Sequence, residues 1–218
     1  MKLRLVKKGV HFYIAGLIIL SLGISLAIQS MLGTSPYDAL LVGLYRTFGL
    51  TIGSWEIVVG FAMVIGNALA ERKRPEYFAL ITSFVTGIGI DSWLFFLRIW
   101  VVPDAWLGQW ICLLLSVFLT GLGIAIYLQS EIAPNPMDRS MLIVAKFTGW
   151  NMTFSRLAIS VVLVITAFFF DGAIGIGTLL NALFVGLIIN LLLPYTAKLR
   201  KASLRKLPEP EKNFAEGE

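Results

Sequence analysis

Along this chain, long apolar stretches alternate with short polar breaks. Six stretches approach or exceed the ~20 apolar residues that a helix needs to cross a bilayer: 10–30, 54–70, 77–99, 106–130, 153–171 and 174–194. Each is read as a transmembrane helix. The first follows a basic N-terminus (KLRLVKK), as the core of a signal peptide would, but its apolar run is too long for one and further spans follow. Two other pieces, 35–49 and 135–149, are too short to cross. Both carry charge, Asp38 and Arg46 in one and Asp138, Arg139 and Lys146 in the other. The expected fold is all-α: a polytopic helical membrane protein with six spans and two short helices, re-entrant or interfacial. One transmembrane domain takes 1–197, and 198–218 is a tail that begins basic and ends acidic, expected to be a solvated, mobile extension.

Composition agrees. The 218 residues are 57% hydrophobic and 14% charged, with a mean hydropathy of +0.83; soluble domains run about 45–50% and about 25%. A secreted disulfide scaffold, a cytosolic enzyme and a nucleic-acid reader are excluded, and the bilayer is the first expected partner. The net charge of +5 reports topology. With the N-terminus in the cytoplasm, all of the 18 lysines and arginines except Arg46 and Arg98 fall on the inner side, as the positive-inside bias requires. Counting the short pieces as spans would instead put the Arg72–Arg74 loop outside. Trp55, Trp100, Trp106 and Trp110 then lie near outer span ends and Trp150 near an inner one, and both termini are cytoplasmic.

Shifted by 100 residues, 22–49 falls on 122–149 without a gap. Leu22/Leu122, Gly23/Gly123, Ile24/Ile124, Gln29/Gln129, Ser30/Ser130, Pro36/Pro136, Asp38/Asp138 and Gly49/Gly149 coincide. Gln, Pro and Asp are scarce in membrane segments, so their recurrence is informative. At an offset of 99, Ser83, Gly87 and Asp91 meet Ala182, Gly186 and Asn190, each triplet spaced by four and so near one helix face. Each copy (about 10–99 and about 106–194) holds three spans. An odd number makes the second copy enter from the opposite side, an inverted-topology repeat of the kind that builds transporters with sites at the repeat interface.

The short helices carry matched caps. Ser35 and Asn135 suit the N-cap, Pro36 and Pro136 the first helical position, Asp38 and Asp138 the third, and Gly49 and Gly149 the C-terminal stop. If both helices re-enter, their N-termini meet near the midplane. Helix N-termini favour an anion, whereas Asp38 and Asp138 favour a cation or amine, so the sign of a solute stays open.

Asp91 is a carboxylate well inside an apolar span, open to two roles: solute or proton handling, or a structural bond. Gln29 and Gln129 either line the same cavity or end their spans; Asn67, Asn181 and Asn190 are either ligands or interhelical bonds. Glu56 and Arg156 occupy equivalent positions with opposite charge and are expected near opposite faces, unpaired. His11 is a lone interfacial histidine. Cys112 is the single cysteine, and neither a zinc-protease nor a phosphate-loop motif is present. An aspartate pair, Asp38 with Asp138 or Asp91, has dyad chemistry open to it, but no motif singles it out. No enzyme, cofactor or metal is expected.

The run LGISLAIQSMLGTSPYDALLVGLYRTFGLTIGSW at 22–55, followed by TGIGIDSW at 86–93, resembles the YczE/YyaS/YitT family of bacterial integral membrane proteins. The carrying features are G-x-S-P-aromatic-D, the turn at 49–53 and G-x-x-x-D in the third span. In the second half TSPYD becomes PNPMD and LTIG becomes WNMT. The resemblance implies a bacterial plasma-membrane protein of this size. The expected function is a transporter or permease-like protein for a small polar or charged solute, bound by Asp38, Asp138, Asp91, Gln29 and Gln129. The alternatives are a non-transporting accessory protein assisting another membrane or biosynthetic system, as a homo-oligomer or with a membrane partner, and a passive channel.

Overall fold

The computed structural model describes residues 2–101, 103, 105–132 and 135–205. Among them are eight α-helices and no strand: α1 (Lys2–Gln29), α2 (Pro36–Phe48), α3 (Ile52–Glu71), α4 (Tyr77–Trp100), α5 (Trp106–Tyr127), α6 (Pro136–Thr148), α7 (Met152–Phe169) and α8 (Ile176–Arg205). A 3-10 turn, Leu128–Ser130, extends α5. Five helices (α1, α3, α4, α5 with its turn, and α8) are long and apolar enough to cross a membrane. The bent pair α6 and α7, at 117°, makes a sixth if counted as one. Phe61, Phe84, Phe95, Leu107, Phe168 and Leu187 stand exposed on these helices, the apolar exterior of a multi-pass membrane protein.

In lipid, apolar side chains gain little by leaving their surroundings, so helices associate through close packing and polar bonds. The closest association joins α1 to α5. A Cβ on Gly23 would stand 2.6 Å from the Thr120 amide nitrogen, and one on Gly123 would stand 2.5 Å from the Leu20 nitrogen. Gly16 meets the Tyr127 backbone and Gly9 the Ser130 carbonyl in the same way. Gly9, Gly16 and Gly23 recur every seven residues, the repeat that keeps one seam facing a partner helix in a left-handed supercoil. Polar bonds fix α4 to the other side of α1: Tyr13 Oη lies 2.7 Å from Thr82 Oγ1, and Trp93 Nε1 donates to the Ile18 carbonyl at 3.2 Å. On the far side, α8 packs against α5 through Leu113, Val117, Val185 and Ile189.

The same turn is built twice beyond the seam. Met31 and Glu131 adopt left-handed backbone, with φ of 59° and 55°. Ser30 Oγ accepts from the Leu32 amide, and Ser130 Oγ from the Ile132 amide, each at 3.3 Å. The caps follow as the sequence suggests. Ser35 Oγ accepts from the Asp38 amide at 3.2 Å and Asn135 Oδ1 from the Met137 amide at 3.0 Å, while Gly49 and Gly149 end the helices at φ 77° and 72°.

The expected tail differs at its start. Residues 198–205 continue α8, because Lys, Leu, Arg and Ala are good helix formers and Arg200 pairs with Glu131 at 2.7 Å. That guanidinium holds the Glu131 carboxyl below its usual range. Residues 206–218 lie outside the described residues.

Gly123→Leu should separate α1 from α5, because backbone rather than a flexible side chain blocks it. We expect a loss of about 1–3 kcal/mol, read as a lower melting temperature in detergent. Gly66→Leu, at a position with nothing within 4 Å, should leave the melting temperature near the parent's.

Candidate functional site

α1 and α5 lie side by side, and the starts of α2 and α6, the elements that follow them, come to one place. There a cavity of about 80 Å³ opens between the two halves of the chain. Leu20 and Ile24 of α1, and Thr120, Ile124 and Tyr127 of α5, form part of its wall. The first turn of α2 contributes Ser35, Pro36, Tyr37 and Asp38; the first turn of α6 contributes Asn135, Met137 and Asp138. Glu56 of α3, Thr86 of α4, Arg156 and Ser160 of α7, and Asn181 of α8 complete the polar lining.

The carboxyls differ in their partners. Asp38 is buried and accepts from Ser35 Oγ at 2.6 Å. Asp138 accepts from Tyr127 Oη at 2.8 Å. Glu56 is 1% exposed, and its Oε1 makes no hydrogen bond within the usual distance, nor do Tyr37 Oη and Thr86 Oγ1, although Tyr37 and Ser83 stand close to the Glu56 carboxyl. A buried polar atom without a full partner costs about 1–3 kcal/mol, so these groups gain from any ligand that bonds them.

Asp38, Asp138, Ser35, Pro36 and Asn135 thus come together. Pro136 is buried just beyond, its carbonyl accepting from Asn67 Nδ2 at 3.1 Å. The other candidates lie elsewhere. Gln29 is half-buried away from the cavity lining, and Gln129 Nε2 donates to Thr196 Oγ1 at 3.2 Å, tying α5 to α8. Asp91, on α4, sits beside the start of α3. Its Oδ1 accepts from the Gly53 amide at 2.8 Å and its Oδ2 from Thr51 Oγ1 at 2.6 Å. The spacing of four has a packing role here: Ser83 nests against Gly60, Gly87 against Gly53, and Asp91 caps the helix they hold.

Glu56 and Arg156 require a correction. They do not stand apart at opposite faces, because both line the one cavity, together with the first turns of α2 and α6. They form no ion pair with each other among the described residues. Glu56, Tyr37, Thr86 and Tyr127 are site residues that the patterning missed. A carboxylate one turn inside an apolar helix was the available signal for Glu56; nothing local marked the tyrosines.

The second half lacks the α3–α4 closure. α7 and α8 hardly touch. Between them runs a groove lined by Thr153, Arg156, Ala182, Gly186 and Asn190. Arg156 and Ala182 also line the central cavity, so groove and cavity adjoin. On another side, the first turn of α6 separates the cavity from a polar pocket beside Glu71, Arg139 and Lys73. Glu71 there pairs with Arg139 at 2.7 Å and Lys146 at 3.0 Å.

Residues 7–194 match a family described as a family of unknown function, DUF6198. Two proteins of Bacillus subtilis (strain 168) are similar over most of their length. "Uncharacterized protein YyaS" is 45% identical over 84% of this chain and 91% of its own. "Uncharacterized membrane protein YczE" is 36% identical over 86% of each. An uncharacterised protein of Haemophilus influenzae is 24% identical over 88% of this chain and 86% of its own. No solved structure matches.

The placement of Asp91 has a measurable consequence. Asp91→Ala removes two hydrogen bonds to a charged acceptor at a helix start, and bonds of that kind contribute about 1.5–3 kcal/mol each. A clear drop in melting temperature is expected.

Proposed function

We propose that this chain, which belongs to the DUF6198 family of unknown function, is a plasma-membrane transporter that carries a small polar or charged solute by exposing the central cavity to each side in turn. The proposal includes the inverted repeat, with α1–α4 and α5–α8 as its copies, and cytoplasmic termini. One observation carries it: the packing of one copy is repeated in the other except at a single pair of helices. α4 packs on α1 as α8 packs on α5, and α2 packs on α7 as α6 packs on α3. α3 lies along α4, whereas α7 and α8 stand apart.

An inverted repeat whose copies differ in one packing is what alternating access requires. With the orientation expected from the basic residues, the Gly53–Asp91 contact is at the outer ends of α3 and α4. The Thr153–Asn190 groove is at the inner ends of α7 and α8. The cavity is then shut from outside by the α3–α4 seam and adjoins an inward groove. In the opposite state α7 would close on Ala182 and Gly186, Asn190 would bond the start of α7 as Asp91 bonds the start of α3, and α3 would leave α4. Re-entry of α2 and α6 supplies the site between the gates. The cavity holds a small solute, since sites for larger organic ligands run about 300–1,000 Å³.

A double variant tests the motion. In a Cys112→Ala background, Thr153→Cys with Asn190→Cys should be joined by a short bifunctional thiol reagent in membranes, because the closed state is visited even when the open one predominates. Absence of any cross-link under turnover would leave α7 fixed away from α8 and sink the alternation. A stable co-purifying membrane protein together with no solute flux would favour the accessory role instead.

A further inference from the structure

The central cavity is framed by three carboxyl groups, Asp38, Glu56 and Asp138, against one guanidinium, Arg156. The N-terminal ends of α2 and α6 add partial positive charge, but Asp38 and Asp138 stand in those first turns and offset it. What remains is Glu56, a buried carboxyl with one oxygen unbonded, which when ionised carries a charge with no partner on that oxygen. An unpaired buried charge is costly, and a cationic hydrogen-bond donor removes that cost. An anion would raise it.

The kind of cation follows from the rest of the wall. A metal ion needs several oxygen donors gathered around it at about 2.0–2.6 Å. Among the described residues no three His, Cys, Asp or Glu side chains are grouped to hold one. The unbonded atoms come from three different helices: Glu56 Oε1 of α3, Tyr37 Oη of α2 and Thr86 Oγ1 of α4. All three can accept a hydrogen bond, so a ligand with several N–H donors suits them. A quaternary ammonium has none. Leu20, Ile24, Ile124 and Val185 supply an apolar side to the same space, which suits a short alkyl body. With about 80 Å³ available and ~10–15 Å³ of such volume needed for each water-sized group, the body is a few carbons long.

We infer that the cavity binds a small primary amine in its ammonium form, with Glu56 as the charge partner and the Tyr37 and Thr86 hydroxyls as the other acceptors. The inference rests on the transporter reading for its biological use but not for the binding itself. Asp38 and Asp138, each already bonded to a hydroxyl, shape the field; Glu56 takes the proton-bearing nitrogen. Tyr37 and Tyr127 stand on the same wall, and aromatic faces add favourable interaction with a cation.

The probe is n-propylammonium chloride, titrated into the purified full-length protein and followed by melting temperature and calorimetry. Saturable binding that raises the melting temperature is expected, as any ligand of the native state must raise it. Propionate and tetramethylammonium should neither bind nor compete. Glu56→Gln should weaken propylammonium at least tenfold, and Thr86→Val, which keeps the side-chain shape, by a smaller factor. Each is scored as the ligand-induced shift over its own unliganded melting temperature, and Thr86→Val serves alone if Glu56→Gln does not fold. Binding of propionate or tetramethylammonium as tight as that of propylammonium, or no propylammonium binding, overturns the inference. Proteoliposome flux separates the two proposals. Propylammonium binding without exchange keeps the amine site and sinks transport; Asp38-dependent flux of an anion or a neutral solute keeps transport and overturns the amine.

Discussion

The contact on which the structure depends is the glycine seam between α1 and α5. In a bilayer the two helices are not driven together by loss of water from apolar surface, because lipid is as apolar as leucine. Backbone approach is what holds them, and it is possible only where a side chain is missing. Gly16, Gly23 and Gly123 remove side chains at positions where each would strike the partner's backbone. The seam fixes the ends of α1 and α5, and from those ends the matched turns at Met31 and Glu131 launch α2 and α6. The cavity between the halves is a consequence. Its floor is Leu20 and Ile24 on one helix and Ile124 and Tyr127 on the other, all beside the seam glycines in sequence.

What was legible in the sequence was local. Helix existence follows from apolar length, and the caps of α2 and α6 follow from residues within four positions of one another, so both could be read from the chain. The left-handed stops at Gly49 and Gly149 belong to the same class. Asp91 shows where local information ends. Its neighbours indicate only that it is a carboxylate in an apolar run; whether it meets a solute or the amide of Gly53 depends on how α3 crosses α4. Glu56 and Arg156 are a related case. A position along a span says nothing of its distance to the other half of the chain, and both residues line one cavity. Gly9, Gly16 and Gly23 form a seven-residue repeat that periodicity could have found, had small residues been counted as well as apolar ones.

The floor of α6 is fixed differently from that of α2. α2 is buried along most of its length and lies against α7, where Thr47 Oγ1 donates to the Phe170 carbonyl at 3.1 Å. α6 is more polar and is held by α3 through side chains. Asn67 bonds the Pro136 carbonyl and accepts from Ser140 Oγ at 2.9 Å. Glu71 gathers Arg139 and Lys146. Arg139 is the residue next to Asp138, so the same turn of α6 faces the cavity with a carboxyl and the neighbouring pocket with a guanidinium. That turn is a partition one helical turn thick. Its hold on α3 is made of polar bonds, which can be exchanged for water, rather than of interlocked backbone.

The difference between the two halves of the chain can be traced to residues at matched sequence offsets. In the first half, Gly53 meets Gly87, so neither helix presents a Cβ at the crossing, and Asp91 offers a carboxyl acceptor to the amide there. In the second half, Thr153 stands 100 residues after Gly53, and Asn190 stands 99 after Asp91. A β-branched side chain holds the helices farther apart, and a neutral amide bonds a helix start less strongly than a carboxylate, since charge-assisted bonds are roughly twice as strong. Both changes weaken the α7–α8 contact relative to α3–α4. If the two gates close alternately, the sequence itself biases the equilibrium toward a shut α3–α4 seam and an open α7–α8 groove, the arrangement the structure has. A solute that favours the opposite state must then supply the difference through contacts made better there. If α3 and α7 move as proposed, Glu56 on α3 and Arg156 on α7 are the ionisable groups whose distance from a bound solute would change as the gates exchange.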